Sequence, residues 1–163
     1  MAEEEAHITV RDLTMAYGDF VVMHDLTFAI NRGDIFIIMG GSGCGKSTMM
    51  TILIGLKTPA KGQVFYGQVD FWGSDPPTRD RIIRRAGVMY QSGALWSSMT
   101  LAENIALPLE TYTDLSPAQI RDVVKLKLAL VGMAGFEEFY PSEISGGMQK
   151  RAGIARAMAL DPE

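Results

Sequence analysis

With 163 residues, 47% of them apolar and 21% charged, the chain can bury one hydrophobic core and is neither a disordered nor a fibrous sequence. Its net charge of -4 offers no broad cationic surface for nucleic acid, and its strongest apolar run, residues 35–39, falls far short of the roughly 18 residues that cross a bilayer. The acidic first residues are no secretory signal, and the single cysteine, Cys44, excludes an internal disulfide framework, so a reducing, cytoplasmic setting is expected.

Short β-like runs at residues 8–13, 26–30 and 35–39 alternate with turn signals at Tyr17-Gly18-Asp19 and Asn31-Arg32-Gly33-Asp34. The third run is apolar at every position, the pattern of a strand buried on both faces of a helix-covered parallel sheet. Residues 46–56 predict a helix that ends before Pro59 and Gly62. Residues 63–71 predict a hairpin turning at Gly67-Gln68, with an exposed loop over 72–77 behind it. A short basic helix over 78–85 carries Arg79, Arg81, Arg84 and Arg85, which read as a solvated face, a contact with phosphate or lipid headgroups being the alternative. Residues 87–90 follow as another short strand.

Two helices then open at capping boxes, Thr100-Leu101-Ala102-Glu103 and Ser116-Pro117-Ala118-Gln119, the second with proline at the first helical position. In that second helix Ile120, Val123, Val124, Leu128 and Val131 share one face, and Gly132 and Gly135 close it. The order is that of an α/β core carrying a small antiparallel β piece and a helical insertion, with no internal repeat.

Gly40-Gly41-Ser42-Gly43-Cys44-Gly45-Lys46-Ser47 fits G-x-x-x-x-G-K-[ST] between an expected strand and an expected helix, the context a phosphate loop requires. Its glycines let successive backbone N–H groups turn inward toward a β-phosphate, and the helix N-terminus adds partial positive charge. Lys46 is placed to meet the β- and γ-phosphates, and the Ser47 hydroxyl to ligate Mg²⁺; the nucleotide-binding stretch is taken to run to Thr48. Cys44 reads as a small filler whose side chain points away from the phosphates. A second anion site is suggested by Ser145-Gly146-Gly147-Met148-Gln149 ahead of a helical stretch over 150–160, although a plain capped helix start has the same residues.

Together with the phosphate loop, Ser145-Gly146-Gly147 resembles the signature loop of ABC transporter ATPases, whose consensus begins L-S-G-G-Q. Here Ile144 stands for the leucine, Met148 for the glutamine, and Gln149 comes one place later. The resemblance implies a P-loop NTPase fold, ATP and Mg²⁺ as cofactors, and a head-to-tail homodimer in which Ser145, Gly146 and Gly147 contact the partner subunit's nucleotide. It also implies that Tyr17 stacks on adenine, a core tyrosine being the alternative, and that Gln91 is the Q-loop glutamine, which senses Mg²⁺ and γ-phosphate and takes part in catalysis with Lys46. Stacking on Tyr17 tolerates adenine or guanine.

Finer stretches, Gln91-Ser92-Gly93-Ala94-Leu95-Trp96, Glu103-Asn104-Ile105-Ala106-Leu107-Pro108-Leu109 and Ser142-Glu143-Ile144-Ser145-Gly146-Gly147-Met148, are similar to the Mla-type ATPases of phospholipid traffic. That branch implies a transmembrane permease, an MCE-domain lipid-binding partner, and a peripheral position on the cytoplasmic face of an inner membrane. Trp96 and Met99 lie where such ATPases meet the permease, or are core residues. The whole chain is read as one ABC ATPase domain, with a core and β subdomain over about 1–90 and a helical subdomain over about 91–160. The family's aspartate–glutamate strand, D-loop and switch histidine are expected beyond Glu163, which implies a truncated sheet with uncovered apolar faces, weak binding and little turnover by these residues alone. A truncated module that binds without hydrolysing, the ATPase of another ABC importer or exporter, and a soluble ABC protein of DNA repair or translation are the alternatives.

Overall fold

Strand β1 (Ile8–Tyr17) folds back on β2 (Phe20–Ile30) in a long antiparallel hairpin, in the computed structural model that describes residues 6–163. The turn falls at Gly18-Asp19, where Gly18 takes φ 57, and Tyr17 faces Phe20 across it. Irregular register between Val10 and Leu13 brings in Asp12 at φ 47, steadied by its amide donating to Thr27 Oγ1 (3.0 Å) and by Thr27 Oγ1 donating to Asp12 Oδ1 (3.3 Å). On its other edge β1 pairs antiparallel with β3 (Lys61–Tyr66), which turns into β4 (Val69–Asp70), giving the order β2-β1-β3-β4. The β3–β4 turn lies at Gly67-Gln68 as expected.

The chain divides into two compact units, Met1–Ile83 and Arg84–Glu163. In the first, Val10, Leu13 and Met15 of β1 are fully buried with Val64 and Phe71 against Met49, Ile52 and Leu53 of α1 (Lys46–Leu53). Burying side chains of this size contributes about 1.5–3 kcal/mol each, so this small core fixes α1 against the sheet. Tyr66 ties them further, its hydroxyl donating to the Leu53 carbonyl at 2.5 Å; burial pushes its pKa up to about 12. Helix α2 (Pro76–Ile83) has Asp75 accepting from the Thr78 amide at 3.1 Å, and it carries Arg79 with its guanidinium 5.5 Å from the centre of the Trp72 ring.

The second unit holds α3 (Leu101–Tyr112), α4 (Pro117–Leu130) and α5 (Gly146–Ala157). Both expected capping boxes form: Thr100 and Glu103 at α3, Ser116 and Gln119 at α4, each pair satisfying two otherwise free amides. Leu101, Ile105 and Leu109, four apart on α3, meet Ile120, Val124 and Leu128 of α4, while α5 contributes Ala152 and Ala155. Such small side chains let α5 lie close to its neighbours.

Two expected strands do not form ladders. Residues 35–39 form no ladder, with Ile35 92%, Ile37 70% and Met39 85% exposed. Phe36 stacks on Phe28 at 5.0 Å and Ile38 packs on the core, so the segment alternates like a strand yet is covered on one face only. Residues 87–90 likewise form no ladder. A parallel strand needs a parallel neighbour, and the sheet among the described residues is antiparallel throughout. No helix among those residues is long and apolar enough to cross a membrane.

Candidate nucleotide-binding site

The glycine-rich loop folds as its composition demands. Gly43 (φ 81) and Gly45 (φ 99) take left-handed conformations that other residues adopt only under strain. Gly45 is also sterically required, because a Cβ there would lie 2.7 Å from Val22 Cγ1. At Gly41 and Gly43 a Cβ would meet open space, so the loop is uncovered at these two positions.

Helix α1 begins directly after Gly45, with no side-chain cap and no acidic residue in its first turn. Its leading amides therefore remain available to an anion. Lys46 Nζ donates to the carbonyls of Gly40 (2.7 Å) and Gly41 (2.6 Å), which folds its ammonium back over the loop. Free first-turn amides, an open glycine cradle and a cation held across it fit a phosphate group. Ser47 is exposed and Thr48 half-buried on the same turn.

Cys44 packs against its own loop. Its Sγ lies 3.5 Å from Lys46 Nζ and fills the space a Cβ on Gly40 would need, at 2.5 Å, so it packs inside the loop's curl. Tyr17 stays 55% exposed, its hydroxyl 3.4 Å from Thr48 Oγ1 and its ring 3.9 Å from Lys57 Nζ. It is not the core tyrosine of the alternative reading.

In the second unit, Ser145 is the N-cap of α5, its hydroxyl accepting from the Met148 amide at 3.3 Å. The helix starts at Gly146, four residues before the expected position, because that cap accommodates two glycines in the first turn. Ser145, Gly146 and Gly147 are exposed, whereas Gln149 turns away and donates to the Pro141 carbonyl at 2.8 Å. Gln91 is exposed at the head of a turn closed by Gly93 N–H to Tyr90 O at 2.9 Å.

That turn is braced by α5. Gly153 permits close approach, since a Cβ there would lie 2.8 Å from Gly93 Cα, and Arg156 donates to the carbonyls of Gly93 (3.1 Å) and Ala94 (2.8 Å). Burial lowers the Arg156 pKa from its ordinary value, against an opposing effect of Tyr90.

Against known families, the pattern described as ABC transporter matches residues 23–163. The chain belongs to the ABC transporter family. A probable ribonucleotide transport ATP-binding protein, mkl of Mycobacterium tuberculosis, is 42% identical over 156 residues, 96% of this chain and 44% of that protein. The intermembrane phospholipid transport system ATP-binding protein MlaF is 37% identical in Haemophilus influenzae, over 96% of this chain and 59% of that one, and 34% identical in Escherichia coli, over 96% and 58%. The chain thus spans about half the length of the curated relatives it matches. Among solved structures, the ATP-binding cassette MJ0796 in a dimeric post-hydrolysis state bound to ADP and Pi aligns with a TM-score of 0.85 at 29% identity, over 95% of this chain and 70% of that one. The fold is accordingly the α/β P-loop ATPase core of this family.

Sequence reasoning missed two residues around these motifs of the ABC fold. Asn104 is fully buried; its Oδ1 accepts from Trp96 N–H (2.7 Å), and its Nδ2 lies within 3.1 Å of the carbonyls of Trp96, Met99 and Thr100. It fixes the loop that holds Trp96 59% exposed, and the signal was available as an amide beside the apolar stripe of α3. Lys127, buried on α4, pairs with Asp161, and no sequence pattern announced it.

Proposed function

We propose that the chain is the nucleotide-holding portion of an ABC transporter ATPase subunit, which couples ATP binding and hydrolysis to movement of a lipid-like substrate at an inner membrane. The observation that carries the nucleotide assignment is the uncapped start of α1 behind an open glycine loop, with the Lys46 ammonium folded across it. Bound Mg-ATP supplies a hydrolysable phosphoanhydride and a divalent charge. Amides at the α1 start would orient its phosphates, Lys46 would offset their charge, Ser47 would supply an oxygen to Mg²⁺, and Tyr17 would receive the base. Ser145, Gly146 and Gly147 serve a nucleotide held by a second copy.

The partners follow from this reading: a second ATPase subunit, a transmembrane permease and an MCE-domain lipid-binding protein, with the ATPase peripheral on the cytoplasmic face. Two relatives named for intermembrane phospholipid transport support the substrate class. A second reading, transport of a ribonucleotide, is favoured by the name of the 42% identical mycobacterial relative. Recovery of a permease and an MCE-domain protein with bound phospholipid from membranes supports the first; a permease complex free of lipid and retaining ribonucleotide supports the second.

Calorimetric titration with Mg-ATP tests the nucleotide assignment. Lys46→Ala is expected to weaken binding on the order of 10–100-fold, the worth of a hydrogen bond to a charged group. No saturable uptake by the parent chain, or equal uptake by the variant, overturns it. A Mg²⁺-dependent ATPase rate that vanishes in Lys46→Ala rules out a module that only binds.

A further inference from the structure

We infer that Lys57 is a positioning residue of the base site: its ammonium covers one face of the Tyr17 ring and presets the ring for a purine on the other face. This deepens the reading of Tyr17 as the base platform and rests on it.

Three contacts define the arrangement, all within the Met1–Ile83 unit. Lys57 Nζ stands 3.9 Å from the Tyr17 ring centre, well inside cation–π range. The Tyr17 hydroxyl reaches Thr48 Oγ1 at 3.4 Å, two residues past Lys46 on α1. Lys57 is itself seated, since its amide and that of Leu56 both bond to the Thr51 carbonyl, at 3.1 and 2.8 Å, where the chain wraps the end of α1. The ring is therefore referred at two points to the helix whose first turn forms the proposed phosphate site.

Tyr17 lies beside the hairpin turn and is 55% exposed, and no aromatic ring among the described residues stacks on it. An exposed tyrosine without such anchors samples several rotamers, and a ligand that needs one of them must order it on binding. The cation removes that cost and leaves a single face for a base. It also draws electron density from the ring, which improves offset stacking with an electron-rich purine on the far side. Nothing in the phosphate loop motif calls for a cation at this position; only the fold brings residue 57 over residue 17.

The test separates base recognition from phosphate recognition by titrating the full chain with Mg-ATP and, separately, with Mg-tripolyphosphate, which has no base. Lys57→Met keeps the stem and removes the charge; it is expected to weaken Mg-ATP about 2–5-fold and leave Mg-tripolyphosphate unchanged. Lys57→Arg, which retains a cation over the ring, is expected to restore Mg-ATP affinity. A plain electrostatic role would weaken tripolyphosphate at least as much as ATP, and a merely structural role would weaken both ligands and resist rescue by arginine; either result overturns the inference. Tyr17→Ala checks the underlying reading, with an expected loss of about 5–100-fold for Mg-ATP alone. If Tyr17→Ala changes the ratio of the two affinities and Lys57→Met does not, Lys57 has no part in base binding. If Tyr17→Ala leaves the ratio unchanged, the base platform itself is misplaced.

Discussion

The two helix starts assigned to nucleotide are built differently. In the Arg84–Glu163 unit, Ser145 satisfies the first turn of α5 with its own hydroxyl, as Thr100 and Ser116 do for α3 and α4. In the Met1–Ile83 unit, α1 starts from a left-handed glycine with no side-chain cap at all. With glycine at the N-cap the missing side-chain cap costs only about a few tenths of a kcal/mol, so the open start is tolerated and its leading amides stay available to another group. The comparison extends to the apolar surfaces: the helical unit closes its core around Ile105 and Leu128, while the other unit presents Ile35, Ile37 and Met39 outward. One unit caps its helix starts with its own side chains, and the other leaves the start of α1 open.

The largest expected effect tests whether the helical core is as closed as this contrast requires. Ile105→Ala should cost about 2–5 kcal/mol of stability, because the site lies fully buried between α3 and α4 and cannot collapse freely. Denaturant unfolding followed by circular dichroism measures it. A loss below about 1 kcal/mol would mean that the helices repack and that the helical unit is no more closed than its neighbour.

A smaller effect probes how α1 is held once its N-terminus is left open. Tyr66 bonds the Leu53 carbonyl at the far end of α1, and burial raises its pKa to about 12 from about 10 in the unfolded chain. The unfolded state therefore loses its phenolic proton first as pH rises. Stability from this group is full below about pH 10 and is lost between pH 10 and 12, to the extent of about 2–3 kcal/mol. The stability difference between the parent and Tyr66→Phe should be constant below pH 10 and shift against the parent above it. A difference independent of pH up to 12 would show that Tyr66 is not sealed against α1.

What the sequence disclosed follows the range of the interactions involved. The capping boxes at Thr100 and Ser116, the turns at Gly18 and Gly67-Gln68 and the start of α1 after Gly45 are set by contacts a few residues apart, and all appear where the residues place them. The α5 start was set four residues late because glycines weigh against a helix, whereas the Ser145 cap outweighs them. The packing of Cys44 against Gly40 depends on how the loop closes and has no local signal. Lys127 carries no local signal for a related reason: a polar side chain on a helix declares its burial only when the carboxylate it bonds is in place, whereas Asn104 at least stands beside the apolar stripe of α3. Strand assignment failed where pairing is nonlocal. Apolar runs at 35–39 and 87–90 state what a strand would bury, but a ladder requires a neighbour that these residues do not supply.

The smallest effect addresses that last point and is the most direct way to break the comparison. Ile35 and Ile37 lie on the uncovered side of their segment, while Phe36 and Ile38 face the hairpin and core. Replacing both isoleucines with threonine keeps the β-branched backbone preference and removes only apolar surface already in water. Stability in this 163-residue chain should move by no more than about 0.5 kcal/mol, the usual range for exposed sites. Concentration-dependent self-association, followed by sedimentation, should fall as the patch becomes polar. The matched change Phe36→Ser should cost more, because it removes the ring stacked 5.0 Å from Phe28. If the isoleucine pair instead cost about 2 kcal/mol or more, those side chains would be buried, and residues 35–39 would be a covered strand rather than a half-dressed one.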